Sequence, residues 1–341
     1  MKKLPQPRPS AVDIFFDRGI HLPALDLWMD SLRGRPGCWV SHGHTDHIAA
    51  HRHFLATGPT ADFLRLRHPK SRPITVGYDE PVEGSGYRMT LHPAGHCLGA
   101  AQLLVELEST GRRIVYTGDL KLRSNPTSPP APVLPCDTLV IEATFGHPHY
   151  VFPPQEQVLD DLTRFIDGCF HRGETPVVLA YILGKSQEVL HHLLERGLRV
   201  RYERRIGEVV RLYERWGAVF QGDHADAEEG DLAHSVVIMP PGSRRSPLFR
   251  SLVRPRTALM TGWALDEGAR FRVRADAAFP FSDHADYSEL LRYVEESGAK
   301  QVYTVNGMPH LAHHLSAMGI AAQHLDGKAA PPPSRQLSLP F

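Results

Sequence analysis

The sequence predicts an α/β protein in which a parallel α/β segment is inserted into a β-rich, metal-binding domain. Short apolar runs separated by turns with Gly and Pro indicate strands at 13–16, 38–40, 101–107, 113–117 and 137–141. From 155 to 213, helical and strand-like segments alternate, which is typical of a parallel α/β unit. From about 271 the chain returns to motif-bearing loops, with a helix near 287–296 and a strand at 301–305.

Size and composition are compatible with a globular intracellular protein. The 341 residues are 42% hydrophobic, which is enough for one large domain or two smaller ones. There is no apolar run of about 18 residues and no apolar core of a signal peptide, so we expect no membrane contact. Four cysteines without a Cys-x-x-Cys pair suit the cytoplasm. Because the formal net charge is zero, any surface for nucleic acid must be a local patch.

The run His-Gly-His-Thr-Asp-His at 42–47 is the strongest functional signal. It directly follows the predicted strand at 38–40, and imidazole and carboxylate are common zinc ligands. His42 and His44 can face one metal, while Asp46 and His47 face a second. Two metals a few ångströms apart can hold both the attacking and the leaving oxygen of a phosphodiester. With 21 histidines in the chain, isolated pairs mean little, but the whole pattern favours a metal site over chance.

Two later residues complete a candidate dinuclear site. His96 lies in a loop with Gly95 and Gly99 on either side, which lets the backbone approach closely. Asp119 directly follows the predicted strand at 113–117, where a carboxylate can bridge two metals. Each residue alone is compatible with a structural role, and it is their order and context that support metal binding.

These motifs resemble those of a known fold and of one family within it. Asp17, the 42–47 run, His96 and Asp119 resemble the successive motifs of the metallo-β-lactamase fold, an αββα sandwich with two metals at one edge. Two further motifs, Ile141-Glu142-Ala-Thr-Phe-Gly and Phe-Ser-Asp-His284-Ala-Asp, resemble the extra motifs of the β-CASP nucleases. The α/β segment between them corresponds to the cap domain of that family.

The resemblance implies a domain order and a set of roles. It implies a metallo-β-lactamase domain at 1–165 and 271–326, a β-CASP-like cap at 166–270, and a flexible tail at 327–341. The expected activity is metal-dependent phosphodiester hydrolysis of nucleic acid with two divalent ions, zinc being preferred. Asp46, Glu142 and His284 are the expected catalytic residues, with His284 giving a proton to the leaving oxygen. Asp17 is expected to orient a ligand histidine.

One position departs from the family pattern. Members that act on RNA usually carry a metal-binding His in a Val-His-Gly context near the end, and here the stretch is Val305-Asn306-Gly307. Asn is a poor zinc ligand, so the second metal is expected to be weakly held or to be a harder ion such as manganese. His310 is an alternative source of the missing ligand.

Candidate phosphate contacts lie in the cap. Lys185 and Ser186 open a predicted helix, where free N–H groups favour a phosphate, although an ordinary helix cap is an equal alternative. Residues 240–256 contain five arginines and no acid, including Arg244 and Arg245. We expect this stretch to form the local cationic patch, with a solvated basic face as the alternative.

The C-terminal residues carry a second clue. Beyond the Pro-rich spacer at 327–335, the chain ends in a peptide that resembles the sliding-clamp-binding motif of bacteria, with its contacts expected from Gln336, Leu337, Leu339 and Phe341. Because a clamp encircles duplex DNA, the motif favours DNA over RNA. Among β-CASP nucleases the chain then looks most like the bacterial ligase-associated DNA exonucleases, with DNA ligase as a further expected partner.

Four functions therefore compete at this stage. The leading one is a DNA exonuclease in repair, and the second is an RNA-processing nuclease of the same fold. The third is a catalytically weak protein that binds the clamp or nucleic acid, which only Asn306 favours. The fourth, a hydrolase of small esters or thioesters, is disfavoured by the inserted cap and the arginine stretch.

Overall fold

The computed structural model describes residues 14–35 and 37–325, which form three β-sheets with helices between and around them. The first sheet has the strands Phe15–Phe16, Ile20–Leu22, Leu27–Met29, Cys38–Trp39, His53–Ala56 and Arg72–Thr75, hydrogen-bonded in that order. The second has, in spatial order, Ala321–His324, Gln301–Val305, Thr138–Glu142, Arg113–Tyr116, Ala101–Leu107, Tyr87–Pro93 and Val82–Glu83. The predicted tail contacts at 336–341 lie outside the described residues.

The first two sheets pack face to face. Their inner faces share one apolar core, to which Leu22 and Trp39 contribute from the first sheet and Leu103 and Tyr116 from the second. Burial of this apolar area from water is the main force that holds the two sheets together.

Helices cover both outer faces of this sandwich. Leu64 of helix Gly58–Arg67 packs on Val40 and Phe54 behind the first sheet. Helices Tyr287–Ser297 and His310–Ala317 supply the buried side chains behind the second sheet. The layers are therefore helix, sheet, sheet, helix, which confirms the predicted αββα sandwich.

The third sheet is fully parallel and forms the cap. Its strands in spatial order are His224–Asp226, Val200–Tyr202, Val236–Met239, Thr175–Leu179, Pro255–Met260 and Ala277–Phe279. The helices between its strands are Lys185–Glu195, Arg204–Arg215, Pro247–Ser251 and Ala269–Arg272, and helix Gln155–His171 precedes the first strand. The sequence predicted this strand–helix alternation, and the predicted fold class is confirmed.

Two elements lie across the cap limits that the sequence suggested. Helix Gln155–His171 packs on the cap strands through Leu162 and Ile166, and it crosses the limit at 165. Strand Ala277–Phe279 pairs with Pro255–Met260, beyond the limit at 270. We therefore propose that the cap runs from 155 to 279, because the helix packs on cap strands and the strand pairs with one.

Candidate metal centre

Two loops at the ends of strands from different sheets form the base of the site. The 42–47 run follows strand Cys38–Trp39 of the first sheet, and Asp119 follows strand Arg113–Tyr116 of the second. Gly118 lies between them with φ +56°, and a Cβ there would come within 2.8 Å of Ser41 Cβ. Glycine is therefore required at 118 for the two loops to approach each other.

Four ligand atoms from three separate loops converge on one point. His44 Nδ1 lies 3.2 Å from His42 Nε2 and 3.0 Å from His96 Nε2. Asp119 Oδ2 lies 3.4 Å from His42 Nε2 and 3.9 Å from His96 Nε2. Ligand nitrogens bound tetrahedrally to zinc at about 2.0–2.1 Å are about 3.3 Å apart. The spacing therefore matches one zinc ion enclosed by His42, His44, His96 and Asp119.

Backbone carbonyls fix the tautomers of two of these histidines. His96 Nδ1 lies 2.7 Å from the carbonyl oxygen of Asp283, and His44 Nε2 lies 3.1 Å from that of Leu183. A carbonyl can only accept, so both of these ring nitrogens must carry the proton and donate it. The opposite nitrogens, His96 Nε2 and His44 Nδ1, then carry no proton, and their lone pairs point at the cluster.

The third histidine is fixed in the same way through a hydroxyl. Ser41 Oγ donates to Asp30 Oδ2 at 2.6 Å and lies 2.9 Å from His42 Nδ1, which therefore donates to it. His42 Nε2 is left as a lone pair. His44 Nδ1 lies 3.0–3.2 Å from the other two nitrogens, but lone pairs cannot hydrogen-bond to one another, whereas a cation between the three nitrogens satisfies all of them. The residues present fit a divalent metal.

Protonation also suits metal binding. Burial lowers the pKa of both His42 and His96 to about 3, so both rings are neutral at neutral pH, as ligands must be. For Asp119, burial alone would raise the pKa, but the positive charge of His47, whose own pKa Asp119 and Asp30 raise well above its usual value, lowers the pKa of Asp119 well below its usual value. The bridging candidate is therefore a carboxylate.

The other oxygen of Asp119 points to a second position. Asp119 Oδ1 is buried without a hydrogen-bond partner among the described residues and lies 3.3 Å from His47 Nε2. His47 Nδ1 donates to Asp30 Oδ2 at 2.8 Å, so Nε2 is the nitrogen that faces Asp119, and it can bind a metal once its proton has left. One carboxylate therefore faces two candidate metal positions, as a bridging ligand does.

A small cavity adjoins this second position. It has a volume of about 50 Å³, and its lining includes Asp46, His47 and Asn306. Asp46 is exposed in the short 3-10 turn Thr45–His47, and its carboxylate is not among the four converging ligand atoms. Asn306 has φ +55°, a left-handed conformation that Asn adopts more readily than most residues. His310, the alternative ligand, packs against His147 instead, with ring centroids 4.5 Å apart.

Glu142 and His284 form a carboxylate–imidazole pair beside the cluster. His284 Nδ1 lies 3.0 Å from Glu142 Oε2, and Glu142 Oε1 accepts from the backbone N–H of Leu120 at 2.7 Å. Burial alone would lower the pKa of His284, but the charges of Glu142 and Asp119 raise it to about 9. Because Nδ1 is occupied by Glu142, Nε2 is the nitrogen of His284 that can exchange a proton with a ligand.

The cap contributes directly to the metal cluster. The Leu183 carbonyl that orients His44 lies in the loop after cap strand Thr175–Leu179. A Cβ on Gly43 would come within 2.9 Å of Leu183 Cδ2, so glycine at 43 allows the cap to approach. The cluster therefore depends on cap position as well as on the sandwich.

The predicted role of Asp17 is wrong. Its carboxylate forms ion pairs with Arg33 at 3.2 Å and Arg35 at 3.1 Å and does not contact a ligand histidine. Asp30 orients His47 instead and also accepts from Tyr116. One sequence feature could have pointed to Asp30: it directly follows the apolar run Leu27-Trp28-Met29, as a ligand-orienting carboxylate at a strand end would.

The predicted phosphate contacts of Lys185 and Ser186 are also wrong in this conformation. Ser186 is fully buried, and its hydroxyl donates to the carbonyl of Tyr181 at 2.5 Å. The Lys185 ammonium is buried 3.0 Å from Asp283 Oδ1. The N-terminus of their helix is capped by Gln187 Oε1, which accepts from Gly184 N at 2.8 Å.

The arginine stretch is only partly available. Arg244 is held within the cap because its Nη2 donates to Thr257 Oγ1 at 2.8 Å and lies 3.5 Å from Asp276. This corrects the prediction of a phosphate contact for Arg244. Arg245 is exposed, and its predicted contact with substrate stays a prediction.

Comparison with known proteins gives several relatives, although no family model matches the chain. A probable DNA ligase of Opitutus terrae is 39% identical over 91% of this chain and 31% of its own length. Endoribonuclease YSH1 of Eremothecium gossypii is 26% identical over 68% of this chain and 38% of its length. DNA ligase 6 of Arabidopsis thaliana is 23% identical over 90% of this chain and 24% of its length.

The sandwich, the inserted cap, the converging ligands and these relatives agree. The chain belongs to the β-CASP family of metallo-β-lactamase-fold nucleases. It spans between about a quarter and two fifths of the length of these three relatives. Among the described residues, no helix is long and apolar enough to cross a membrane.

Proposed function

We propose that this chain is a metal-dependent DNA nuclease that trims strand ends before ligation, acting as an exonuclease in repair. The observation that carries the proposal is the convergence of His42, His44, His96 and Asp119 beside the pair of Glu142 and His284. This arrangement combines a site for divalent ions with a proton donor, and both accelerate phosphodiester hydrolysis.

DNA is favoured over RNA by the relatives that match nearly the whole chain. Two of them, at 39% and 23% identity, are named DNA ligases, and this chain matches only 31% and 24% of their lengths. A segment like this chain is therefore joined to a larger protein with ligase in its name. We infer that a separate DNA ligase is a functional partner of this chain. We also propose that the chain acts in the cytoplasm.

His42, His44, His96 and Asp119 would hold one ion, and His47, Asp119 and Asp46 a second. When bound, divalent ions of this kind lower the pKa of a coordinated water and offset charge on phosphate oxygens. Zinc suits the imidazole-rich first position, and manganese is an option at the second, where Asn306 offers only an amide.

Side chains of the protein would protonate the leaving oxygen. Glu142 is fixed by the N–H of Leu120 and holds His284 through Nδ1, so the imidazole cannot rotate freely. Protonated His284 presents Nε2–H as the donor to the departing strand. Glu142 stabilises the positive charge of His284 before the proton is transferred.

The test is a comparison of end-labelled single-stranded DNA and RNA of one sequence, each digested with zinc, manganese or both. The expected result is faster loss of DNA than of RNA, with products that shorten from one end. A strong preference for RNA would overturn the choice of DNA and support the second candidate, an RNA-processing nuclease, which the similarity to an endoribonuclease favours.

A further inference from the structure

Two aromatic side chains follow neighbouring strands of the cap sheet. Strands Thr175–Leu179 and Pro255–Met260 pair in parallel, with Leu179 opposite Leu259. Tyr181 comes two residues after the first strand and Trp263 three residues after the second. Because the carboxyl ends of parallel strands lie at the same edge of a sheet, both residues belong to one edge. Leu183, whose carbonyl orients His44, lies at that same edge.

Each ring is connected to His284 through one or two intervening side chains. The Trp263 ring packs on Phe145 with centroids 4.7 Å apart, and Phe145 lies 5.9 Å from the His284 ring. Tyr181 is connected through Lys185, whose Nζ lies 4.8 Å from the Tyr181 ring centroid. The same ammonium lies 3.0 Å from Asp283, the residue before His284. Both rings therefore connect to the neighbourhood of the candidate proton donor.

Both rings are partly exposed, and the exposed ring area does not contribute to the stability of the fold. Tyr181 is 51% exposed, and Trp263 is partly exposed although its neighbours Phe145 and Tyr150 are buried. An exposed tyrosine beside a candidate active site does not contribute a large burial energy to folding. The exposed part of each ring can, however, contact a ligand.

The surroundings of Trp263 are mixed in charge but include exposed cations. Helix Ala269–Arg272 contacts the turn that carries Trp263 and brings Arg270 and Arg272 to the surface. Arg272 lies 3.7 Å from Asp266, and Glu267 is also exposed nearby. The Arg270 guanidinium lies 4.6 Å from the centroid of the Phe271 ring and forms no ion pair with any described residue, so its charge is available to a polyanion.

We propose that Tyr181 and Trp263 stack on unpaired bases and so make the site selective for single-stranded ends, an inference that rests on the proposed nuclease function. Every nucleobase has a flat π-face, so stacking needs no particular sequence. Bases inside a duplex are stacked on one another and cannot reach two separate rings. Single-stranded DNA therefore fits this edge of the cap better than a blunt duplex does.

The test measures binding by the full-length, metal-loaded protein. The probe is a fluorescein-labelled 12-nucleotide oligo-dT with phosphorothioate linkages, which resist cleavage, and the comparison is a blunt duplex of the same linkages. Affinities come from fluorescence anisotropy. Tyr181→Ala and Trp263→Ala should each weaken single-strand binding by about fivefold to a hundredfold, the range of base–aromatic stacking. The affinities of these two alanine variants for the duplex should stay within about twofold of the wild-type value, which is less than the loss of one stacked base would cause.

Conservative and distant variants complete the design. Tyr181→Phe and Trp263→Phe keep a stacking ring and should bind the single strand nearly as the wild type does. Val253, 68% exposed and just before strand Pro255–Met260, lies at the opposite edge of the cap sheet, so Val253→Ala should change neither affinity. Thermal melts confirm that each variant is folded.

Two results would overturn the inference. Alanine variants that bind the single strand like the wild type, or that lose single-strand and duplex affinity equally, exclude base stacking at these rings. Cleavage of ordinary oligonucleotides is measured separately on the wild type. If single-strand binding depends on the two rings but nothing is cleaved, the proposed nuclease function is wrong and this inference still holds. If DNA is cleaved but binding does not depend on the rings, this inference is wrong and the proposed function still holds.

Discussion

A buried ion pair ties the cap to the loop that carries Asp119. Lys121 Nζ lies 2.5 Å from Glu188 Oε1, and both side chains are at most 2% exposed. Lys121 is two residues after Asp119, and Glu188 lies in the cap helix Lys185–Glu195. Gln155 Nε2 also donates to Glu188 Oε1, at 2.9 Å. The pair therefore links the metal loop to the cap across a buried interface.

Removal of one partner should be much more damaging than removal of both. Lys121→Met leaves the Glu188 carboxylate buried without its cation, which costs about 3–5 kcal/mol of folding free energy. Adding Glu188→Met removes the unpaired charge, and apolar replacement of both members of such a pair is often close to neutral. Urea denaturation of the wild type, both single variants and the double variant measures these free energies.

The destabilisation by Lys121→Met should depend on pH. Burial raises the pKa of Glu188 above its ordinary value of 4.5, even with Lys121 beside it. A raised native pKa favours folding below 4.5, and that contribution is lost as pH rises through the native pKa. Without Lys121 the native pKa of Glu188 rises further, so the variant should be closest to the wild type in acid and weakest at neutral pH.

Additive effects of the single variants in the double variant would show that Lys121 and Glu188 are not coupled. The expected cost of Lys121→Met is wrong if the variant loses less than about 1 kcal/mol at neutral pH, which is typical of exposed ion pairs. A pH-independent difference between Lys121→Met and the wild type would contradict the assignment of the effect to the Glu188 charge.

Three further predictions concern the site and the tail. Glu142→Gln should lower kcat on labelled single-stranded DNA at least about 100-fold with the fold retained, because His284 loses its charged partner; an unchanged kcat contradicts the role. Asn306→His should tighten the second zinc equivalent in a calorimetric titration at least about tenfold, since the left-handed backbone there also tolerates His; equal affinity argues against a second metal at this position. Deletion of 336–341 should abolish pull-down by a bacterial sliding clamp while nuclease activity persists, and continued pull-down refutes the tail motif.

The ligand cluster could be anticipated from sequence because its residues form contiguous or strongly framed motifs. His42, His44 and His47 occur in one run behind a strand, and His96 and Asp119 lie in glycine-flanked or strand-end positions. Local patterns of this kind restrict where a side chain can point. The structure brings four of the predicted ligands within 4.8 Å of one another, which local pattern alone does not establish.

The errors came from tertiary contacts that leave no local pattern. Lys185 and Ser186 open a helix, as predicted, but the partner Asp283 is 98 residues from Lys185 and occupies the ammonium. Asp30 was missed because a single carboxylate after a short strand is common. Strands as short as Leu27–Met29 have too few residues to show alternation, so most of the first sheet was not predicted.

The account depends most directly on Asp119, which faces both candidate metal positions. The decisive measurement is metal content per chain by elemental analysis, together with cleavage of end-labelled single-stranded DNA, for the wild type and Asp119→Ala. A two-metal mechanism that depends on Asp119 predicts bound zinc and cleavage that a chelator abolishes in the wild type, and reduced metal content with loss of cleavage in a folded Asp119→Ala variant. Cleavage by Asp119→Ala at the wild-type rate, or cleavage that persists without metal, would contradict it.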